Sequence, residues 1–286
     1  QRQMCIRDRG RITATGSLVY TNVTEHVKIG DAPADFQRLA PSFTVSLQPW
    51  QEQLLFLRLM YKSTFRMPTF NDLYYYRLGN RSLRPEKANE YNMGITWSRS
   101  FSSFLNYLSV TVDGYYNDVT DKIVAFPTTY AWKMANYGKV HVTGMDATLA
   151  AAASLGKNMV LVVSGGYTWQ KAIDLTDATS KSYKDQLPYT PKHSGNVSAV
   201  LEMPWVNVGY SIVGVSERYS MSQNIPENRI DGYMEHTASL SRNFSFRHCK
   251  LRLQAEIINM TDTQYDVIKY YPMPGRSWRL TGTIEF

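Results

Sequence analysis

The 286-residue sequence lacks the features that mark several common classes of protein. No uninterrupted apolar run exceeds five residues, as in 149–153, whereas a membrane-spanning helix needs about 20. No segment of useful length has helical periodicity. Only two cysteines and five histidines occur, and neither set has metal-ligand spacing. A helical membrane protein, a disulfide framework and a clustered metal site are therefore excluded.

Catalytic motifs are missing as well. Residues 209–211 and 214–216 lack the second glycine of a nucleophile elbow, and no glycine-rich loop suits a phosphate. The carboxylates Asp118 and Asp121 fall in a predicted loop, where solvated turn residues are the ordinary interpretation. We predict no catalytic residue, no metal and no cofactor, and hence a protein that is not an enzyme.

Alternation of apolar and polar side chains is the dominant pattern. The 43% hydrophobic and 13% aromatic content, with 20 tyrosines, excludes a disordered chain and favours a β-rich one. A period of two residues is typical of strands that have one apolar face. About twelve segments show it: 12–20, 43–47, 55–61, 91–97, 108–116, 140–151, 159–169, 197–201, 206–214, 233–240, 249–257 and 277–286.

The connections between these segments alternate in length. Short ones lie near 48–51, 100–104, 154–158, 204–205 and 244–248. Long ones span 22–42, 63–88, 118–138, 170–192, 219–232 and 259–276. In an antiparallel meander all short turns then fall at one end of the sheet and all long loops at the other. This arrangement predicts an all-β, antiparallel transmembrane β-barrel with tight periplasmic turns and large extracellular loops. A soluble sandwich or propeller has no reason to segregate its loops.

The two faces of the predicted strands agree with a barrel in a membrane. Charged residues occur in mid-strand, and burying them in a dry protein interior would be costly: Arg58, Asp146, Arg252 and Glu256. In a membrane barrel that face lines a wet lumen and the apolar face meets lipid. Aromatic residues stand near the ends of the apolar faces, as interfacial girdles do: Trp50, Trp97, Trp169, Trp205, Trp278 and Phe286.

Several short sequence motifs, called phrases below, resemble motifs of TonB-dependent outer-membrane receptors. They occupy residues 63–74, 79–86, 188–193, 258–265 and 271–276, and the last strand ends in Phe286. Each phrase also has a structural interpretation, since its prolines and glycines suit strand rims and turns. The resemblance covers about residues 43–286.

The resemblance implies a 22-stranded barrel that encloses an N-terminal plug, preceded by a segment that contacts TonB. Neither the plug nor the first strands are recognisable here, so residues 10–286 are expected to form the C-terminal part of the barrel. Residues 1–9 match no strand or helix pattern and are expected to be a sequencing artefact. An isolated chain should form an open meander, with an unpaired or abnormally joined edge near 11–20. A final strand ending in Phe286 resembles the signal read by the barrel-insertion machinery.

The implied function is uptake of a scarce chelate or cofactor (a ferric siderophore, haem or cobalamin) across the outer membrane of a Gram-negative bacterium. The implied partners are outer-membrane lipid, including lipopolysaccharide, and TonB. Aromatic and basic loop residues suit a bulky, partly anionic ligand, although an interfacial aromatic belt is the plainer interpretation. The candidate ligand contacts are Tyr74, Tyr75, Tyr76, Arg77, Arg81 and Trp132.

Other interpretations compete with this one, among them a closed barrel of only 12 strands, which the order of the motifs suits less well. A passive porin or another plug-less barrel would share the strand pattern. A barrel hydrolase such as a phospholipase would need a serine and a histidine on one face, whereas His193 and Ser194 are adjacent and face opposite ways on a strand. The net charge of +7 raises the question of nucleic acid. It is spread over strands and loops without a basic helix or arm, so we expect no nucleic-acid partner.

Overall fold

The computed structural model describes residues 2–7, 11–24, 26, 35–50, 54–102, 104–127, 131–156, 158–247 and 249–286. These residues form strands, a short α-helix, α1 (Phe70–Tyr74), and a 3-10 turn at Pro226–Asn228. The strands are β1 (Arg2–Arg7), β2 (Ile12–Val23), β3 (Phe36–Leu47), β4 (Leu54–Arg66), β5 (Glu86–Ser100), β6 (Leu105–Pro127), β7 (Trp132–Gly156), β8 (Met159–Asp174), β9 (His193–Glu202), β10 (Asn207–Val215), β11 (Arg218–Tyr219), β12 (Arg229–Ile230), β13 (Tyr233–Ser245), β14 (Lys250–Ile258), β15 (Asp266–Ile268), β16 (Tyr271–Pro272) and β17 (Ser277–Glu285). None of the helices formed by the described residues has the length and apolar character of a membrane span.

One sheet contains 13 of the strands described, in the order β1 to β10, β13, β14 and β17. Neighbouring strands are antiparallel throughout, so the sheet is a meander. The pairs β11–β12 and β15–β16 form two small ribbons within the connections. β1 and β17 are the two edges, and the sheet is open between them, as expected.

The position of the first edge corrects one expectation. The edge strand is β1, which pairs residues 2–7 with 13–18 of β2, so the region around 11–20 is paired on both sides. The stretch 1–9, in which no strand pattern is visible, thus contributes a strand. Its suggested origin as an artefact stays a prediction.

All twelve predicted strands are present, but the predicted loop at 118–138 is wrong, and the one at 22–42 is wrong for residues 36–42, which belong to β3. β6 and β7 stay paired from Leu105 and Ala153 to Pro127 and Trp132, with one register shift between Leu105 and Tyr107. The carboxylates of this stretch resemble turn residues, although the apolar alternation continues through Val119, Ile123 and beyond. Inner-face side chains of this extended hairpin are covered by neighbouring loops, and that contact is invisible in the sequence.

The distribution of burial is the reverse of that in a soluble protein. Large apolar residues of the wall are exposed, among them Met93 at 67% and Leu280 at 81%. Outer-face residues of adjacent strands, such as Leu57, Ile95 and Val112, stand directly opposite one another. Such a continuous apolar surface marks contact with a membrane rather than with water.

The opposite face of the wall carries paired charges at mid-height. Arg58 Nη2 lies 2.8 Å from Asp113 Oδ1 across the intervening strand, where Gly94 stands between them in register. A Cβ added to Gly94 would lie 1.9 Å from Asp113 Oδ1, so a larger residue here would have to displace the end of that side chain and with it the ion pair. Asp146, opposite Asp113, accepts a 2.7 Å hydrogen bond from Thr168 Oγ1. The polar face predicted for a wet lumen is therefore present.

Candidate ligand-binding surface

The long connections gather at one end of the sheet. We define the loop crown as residues 67–85, 175–192, 216–232 and 259–276 together with the β6–β7 arm above Val119. Every buried hydrophobic residue among those described lies in the crown or at the adjoining strand ends: Phe36, Leu73, Leu83, Ala88, Val119, Ile123, Met134, Val140, Val142, Ala172, Leu187 and Ile230. The crown is thus a packed structure and not a set of free loops.

The first loop of the crown begins with a capped helical turn. The Thr69 hydroxyl accepts a 3.2 Å hydrogen bond from Asp72 N, and Asp72 Oδ2 accepts one of 2.9 Å from Thr69 N. Arg66 Nη2 also lies 2.7 Å from Asp72 Oδ2. Partial burial would raise the pKa of Asp72, but the hydrogen bonds from Thr69 and Arg66 outweigh it and hold that pKa below its usual value. This charged cap fixes the start of α1.

The same loop is anchored on the β6–β7 arm. Met134 N donates a 3.0 Å hydrogen bond to Leu78 O, and Leu73 packs in a buried cluster with Met134 and Ile123. The chain folds back so tightly that a Cβ added to Gly79 would lie 2.7 Å from Leu73 O. The glycine of the 79–86 phrase is therefore required by close backbone approach.

The predicted tyrosine cluster occupies this loop, but its members have different environments. Tyr74 is half-buried, with the Arg81 guanidinium 5.3 Å from its ring centroid. Tyr75 and Tyr76 are 59% and 78% exposed. Arg77 lies 5.1 Å from the Tyr76 ring. Cation–π geometry thus pairs Arg81 with Tyr74 and Arg77 with Tyr76, while the Tyr75 and Tyr76 side chains remain largely exposed.

Trp132, predicted to lie in a loop, is instead the first residue of β7. It shares the inner face with Met134 and contacts the next loop, with 5.8 Å between the ring centroids of Trp132 and Tyr189. Tyr189 has a left-handed backbone with φ of 55°. Its N–H donates to Tyr219 O at 2.7 Å, and burial raises the pKa of its phenol. Tyr189 belongs to the 188–193 phrase, but nothing in the sequence assigns it a partner.

The 175–192 loop folds over the inner face of the wall. Ala172 lies on the same face as Thr168, and its N–H donates to Gln186 Oε1 at 3.2 Å. Leu187 N donates to Ala172 O at 2.8 Å, and Leu187 is 5% exposed within the cluster that includes Val140. Leu187 of this loop therefore covers part of the inner face at the crown end of the sheet.

An arginine joins the last two loops of the crown. Arg218 is 4% exposed, and its Nη2 donates to Asp266 O at 2.6 Å and to Val267 O at 3.0 Å. Its guanidinium lies 5.8 Å from the ring of Tyr233, on which Tyr265 stacks at 3.8 Å. No local pattern in the sequence distinguishes Arg218 from the other basic residues, so its role is visible only in the structure.

The strand order, the outer apolar face and the loop crown together describe a receptor-type barrel wall. Comparison with known families matches residues 6–260 to the TonB dependent receptor-like β-barrel. The chain belongs to this family. The predicted family, the β-barrel fold and the location in the Gram-negative outer membrane are thereby confirmed.

Individual relatives agree with this assignment. The vitamin B12 transporter BtuB of Photobacterium profundum is 25% identical over 230 residues, which are 78% of this chain and 34% of that protein. Among solved structures, the ferric citrate transporter FecA aligns with a TM-score of 0.72 at 16% identity, over 96% of this chain and 43% of FecA. The ferric-catecholate import receptor Fiu of Escherichia coli K12 gives 0.67 at 18% identity, over 95% and 42%. The chain thus spans about a third of the length of its curated relative.

Proposed function

We propose that residues 10–286 form the C-terminal barrel portion of a TonB-dependent receptor that imports a scarce chelate or cofactor. The candidate ligands are a ferric siderophore, haem and cobalamin. This chain supplies barrel wall and extracellular loops. A plug and a TonB-contacting segment, which this sequence does not include, would supply the gate and the coupling to energy.

The observation that carries the proposal is the composition of the crown above a polar inner face. Tyr75, Tyr76 and Arg77 are exposed on one loop, and Trp132 contacts Tyr189 of another. Aromatic faces and fixed positive charges favour a bulky ligand with delocalised electrons and acidic groups. Such a set of exposed aromatic and basic groups suits ligand capture more than passive diffusion.

The sheet edges and the outer face support the proposed partners. β17 is an edge of the sheet and is followed directly by Phe286, which is fully exposed and suits recognition by the insertion machinery. The outer apolar surface would be covered by lipid, with lipopolysaccharide around its extracellular rim. The polar inner face would be wet and would contact the plug.

The experiment is ligand uptake in a strain that lacks its own receptors and expresses the receptor containing this chain. We expect uptake of at least one ligand from a panel of labelled ferric siderophores, haemin and cyanocobalamin, and its loss when tonB is deleted. Uptake that persists without TonB would favour the passive porin.

The candidate residues are tested in the same receptor by measuring its affinity for the ligand that it imports. Replacing Tyr74, Tyr75 and Tyr76 by alanine should weaken this affinity, whereas Tyr91→Ala on the outer face should not. Unchanged affinity in the triple variant would assign these tyrosines to the interfacial belt instead.

A further inference from the structure

Among the described residues, Arg218 is a buried cation without a carboxylate partner of its own. Glu217 and Asp231, two carboxylates of the same loop, pair with Arg229 at 3.2 and 3.1 Å. Arg218 Nη2 reaches only backbone carbonyls, and Nη1 is buried with no hydrogen-bond partner among the described residues. The arginine therefore differs from Arg58, Arg66, Arg84 and Arg279, each of which has an acidic partner.

Such an arrangement is costly unless another group completes it. Moving a cation out of water carries a large desolvation penalty, and neutral carbonyls return only part of that free energy. A buried N–H without a partner adds a further penalty. The hydrogen bonds of Nη2 explain how Arg218 holds loops 216–232 and 259–276 together. They do not explain why a charged side chain is used or why Nη1 is left unpaired.

A cavity of about 230 Å³ adjoins Arg218 and has an excess of basic groups. Lys192 lines it together with the hydroxyl-bearing Thr190 and Ser216 and with His193, whose imidazole Nδ1 lies 2.7 Å from the Tyr167 hydroxyl. Its one acidic lining residue, Glu217, is engaged by Arg229. Pockets for whole ligands are about 300–1,000 Å³, so this cavity has room for a carboxylate or phosphate group but not for a complete chelate.

We propose that Arg218 and Lys192 form an anion-binding subsite that receives a terminal carboxylate or phosphate of the imported ligand. The subsite rests on the proposed function and narrows the ligand to one with such an acidic group. Tyr189 ties the subsite to the aromatic part of the crown, because its N–H bonds to Tyr219, next to Arg218, and its ring meets Trp132. The chelate body would lie on these rings while its acidic arm enters the cavity.

The test measures anion binding by the purified receptor in detergent, with inorganic phosphate and citrate as probes and chloride of equal ionic strength as the reference. The melting temperature should rise with phosphate or citrate beyond its value in chloride, because an anion that binds the folded state stabilises it. Arg218→Met and Lys192→Met should each weaken the apparent affinity about tenfold or more, since each removes a charge-assisted hydrogen bond. Arg218→Lys should keep part of the affinity.

Lys181→Met is the matched control, since Lys181 is an exposed lysine of the same loop as Lys192. It should bind both probes as the unmodified receptor does. Lys192 is itself exposed, so its variant remains informative if Arg218→Met does not fold. Equal stabilisation by chloride, or undiminished affinity in both Lys192→Met and Arg218→Lys, would overturn the subsite.

The assay involves neither TonB nor transport. If phosphate and citrate do not bind, only the subsite is contradicted, and the uptake experiment still tests the proposed function. A receptor that binds phosphate but imports nothing would contradict only the proposed function.

Discussion

The wall and the loop crown obey opposite rules of burial within one chain. In the wall the large apolar side chains point outward, as Leu59 does at 55% exposure, and the inner face holds the Arg58–Asp113 ion pair. In the crown the apolar side chains are covered, as with Leu73 at 5%, and aromatic and basic groups reach solvent. The same amino-acid types therefore have different roles on either side of the membrane boundary, because lipid replaces the protein core as the apolar phase.

The largest effect is expected from a charge on the lipid face of the wall. Met93→Arg places a guanidinium among outer-face neighbours such as Leu59, at a cost of about 2–4 kcal/mol near the bilayer centre. Asn92→Arg, one position away on the inner face, is the matched control. Folded receptor recovered from the outer-membrane fraction should fall sharply for Met93→Arg alone. Equal losses in both variants would contradict the assigned faces.

The next effect concerns the inner face. Gly94→Ala drives a Cβ to within 1.9 Å of Asp113 Oδ1 and must displace the ion pair with Arg58, which we expect to cost about 1–3 kcal/mol. Gly114→Ala is the control, since its Cβ would meet nothing closer than 3.9 Å. Urea unfolding of the reconstituted receptor measures both. The assignment fails if the two variants are equally stable.

A smaller and local effect should follow from Gly79→Ala in the crown. The added Cβ would lie 2.7 Å from Leu73 O and from Tyr75 N, so the loop must open there. We expect about 1–2 kcal/mol of local destabilisation and cleavage of residues 67–85 by protease about five- to thirtyfold faster. Wall stability should not change. A fall in the urea midpoint equal to that of Gly94→Ala would show that crown and wall unfold together.

The smallest effect is pH-dependent. The pKa of Asp72 is lowered in the folded protein, so its contribution is present above the usual value of 3.8 and is lost as pH falls through the lower folded value. Asp72→Asn should therefore speed amide exchange in residues 70–79 at pH 7, by about two- to fivefold for a cap worth about 0.5–1 kcal/mol. At pH below the folded pKa the two proteins should exchange alike. A difference that persists in acid would point to packing instead of charge.

The sequence was sufficient for the wall but not for the crown. Period-two alternation locates the twelve strands of the large sheet beyond β1, because successive side chains of such a sheet face lipid and the wet inner face in turn. The 118–138 arm is not predicted because other loops cover its inner face. Polar residues such as Asp121 therefore lie within a strand and not in a solvated turn. The roles of Leu187, Tyr189 and Arg218 depend on contacts between loops far apart in sequence, and no local pattern records them.

The central claim, that the apolar face of the wall meets lipid while the alternate face is wet, has one direct test. A nitroxide is placed at single positions from 90 to 96 of β5, in a membrane-reconstituted receptor whose native cysteines are replaced by serine. Collision rates with oxygen and with a water-soluble nickel chelate are then measured. The claim predicts high oxygen access at 91, 93 and 95 and high nickel access at 90, 92 and 96. Uniform access to the nickel chelate, or the inverse alternation, would contradict it.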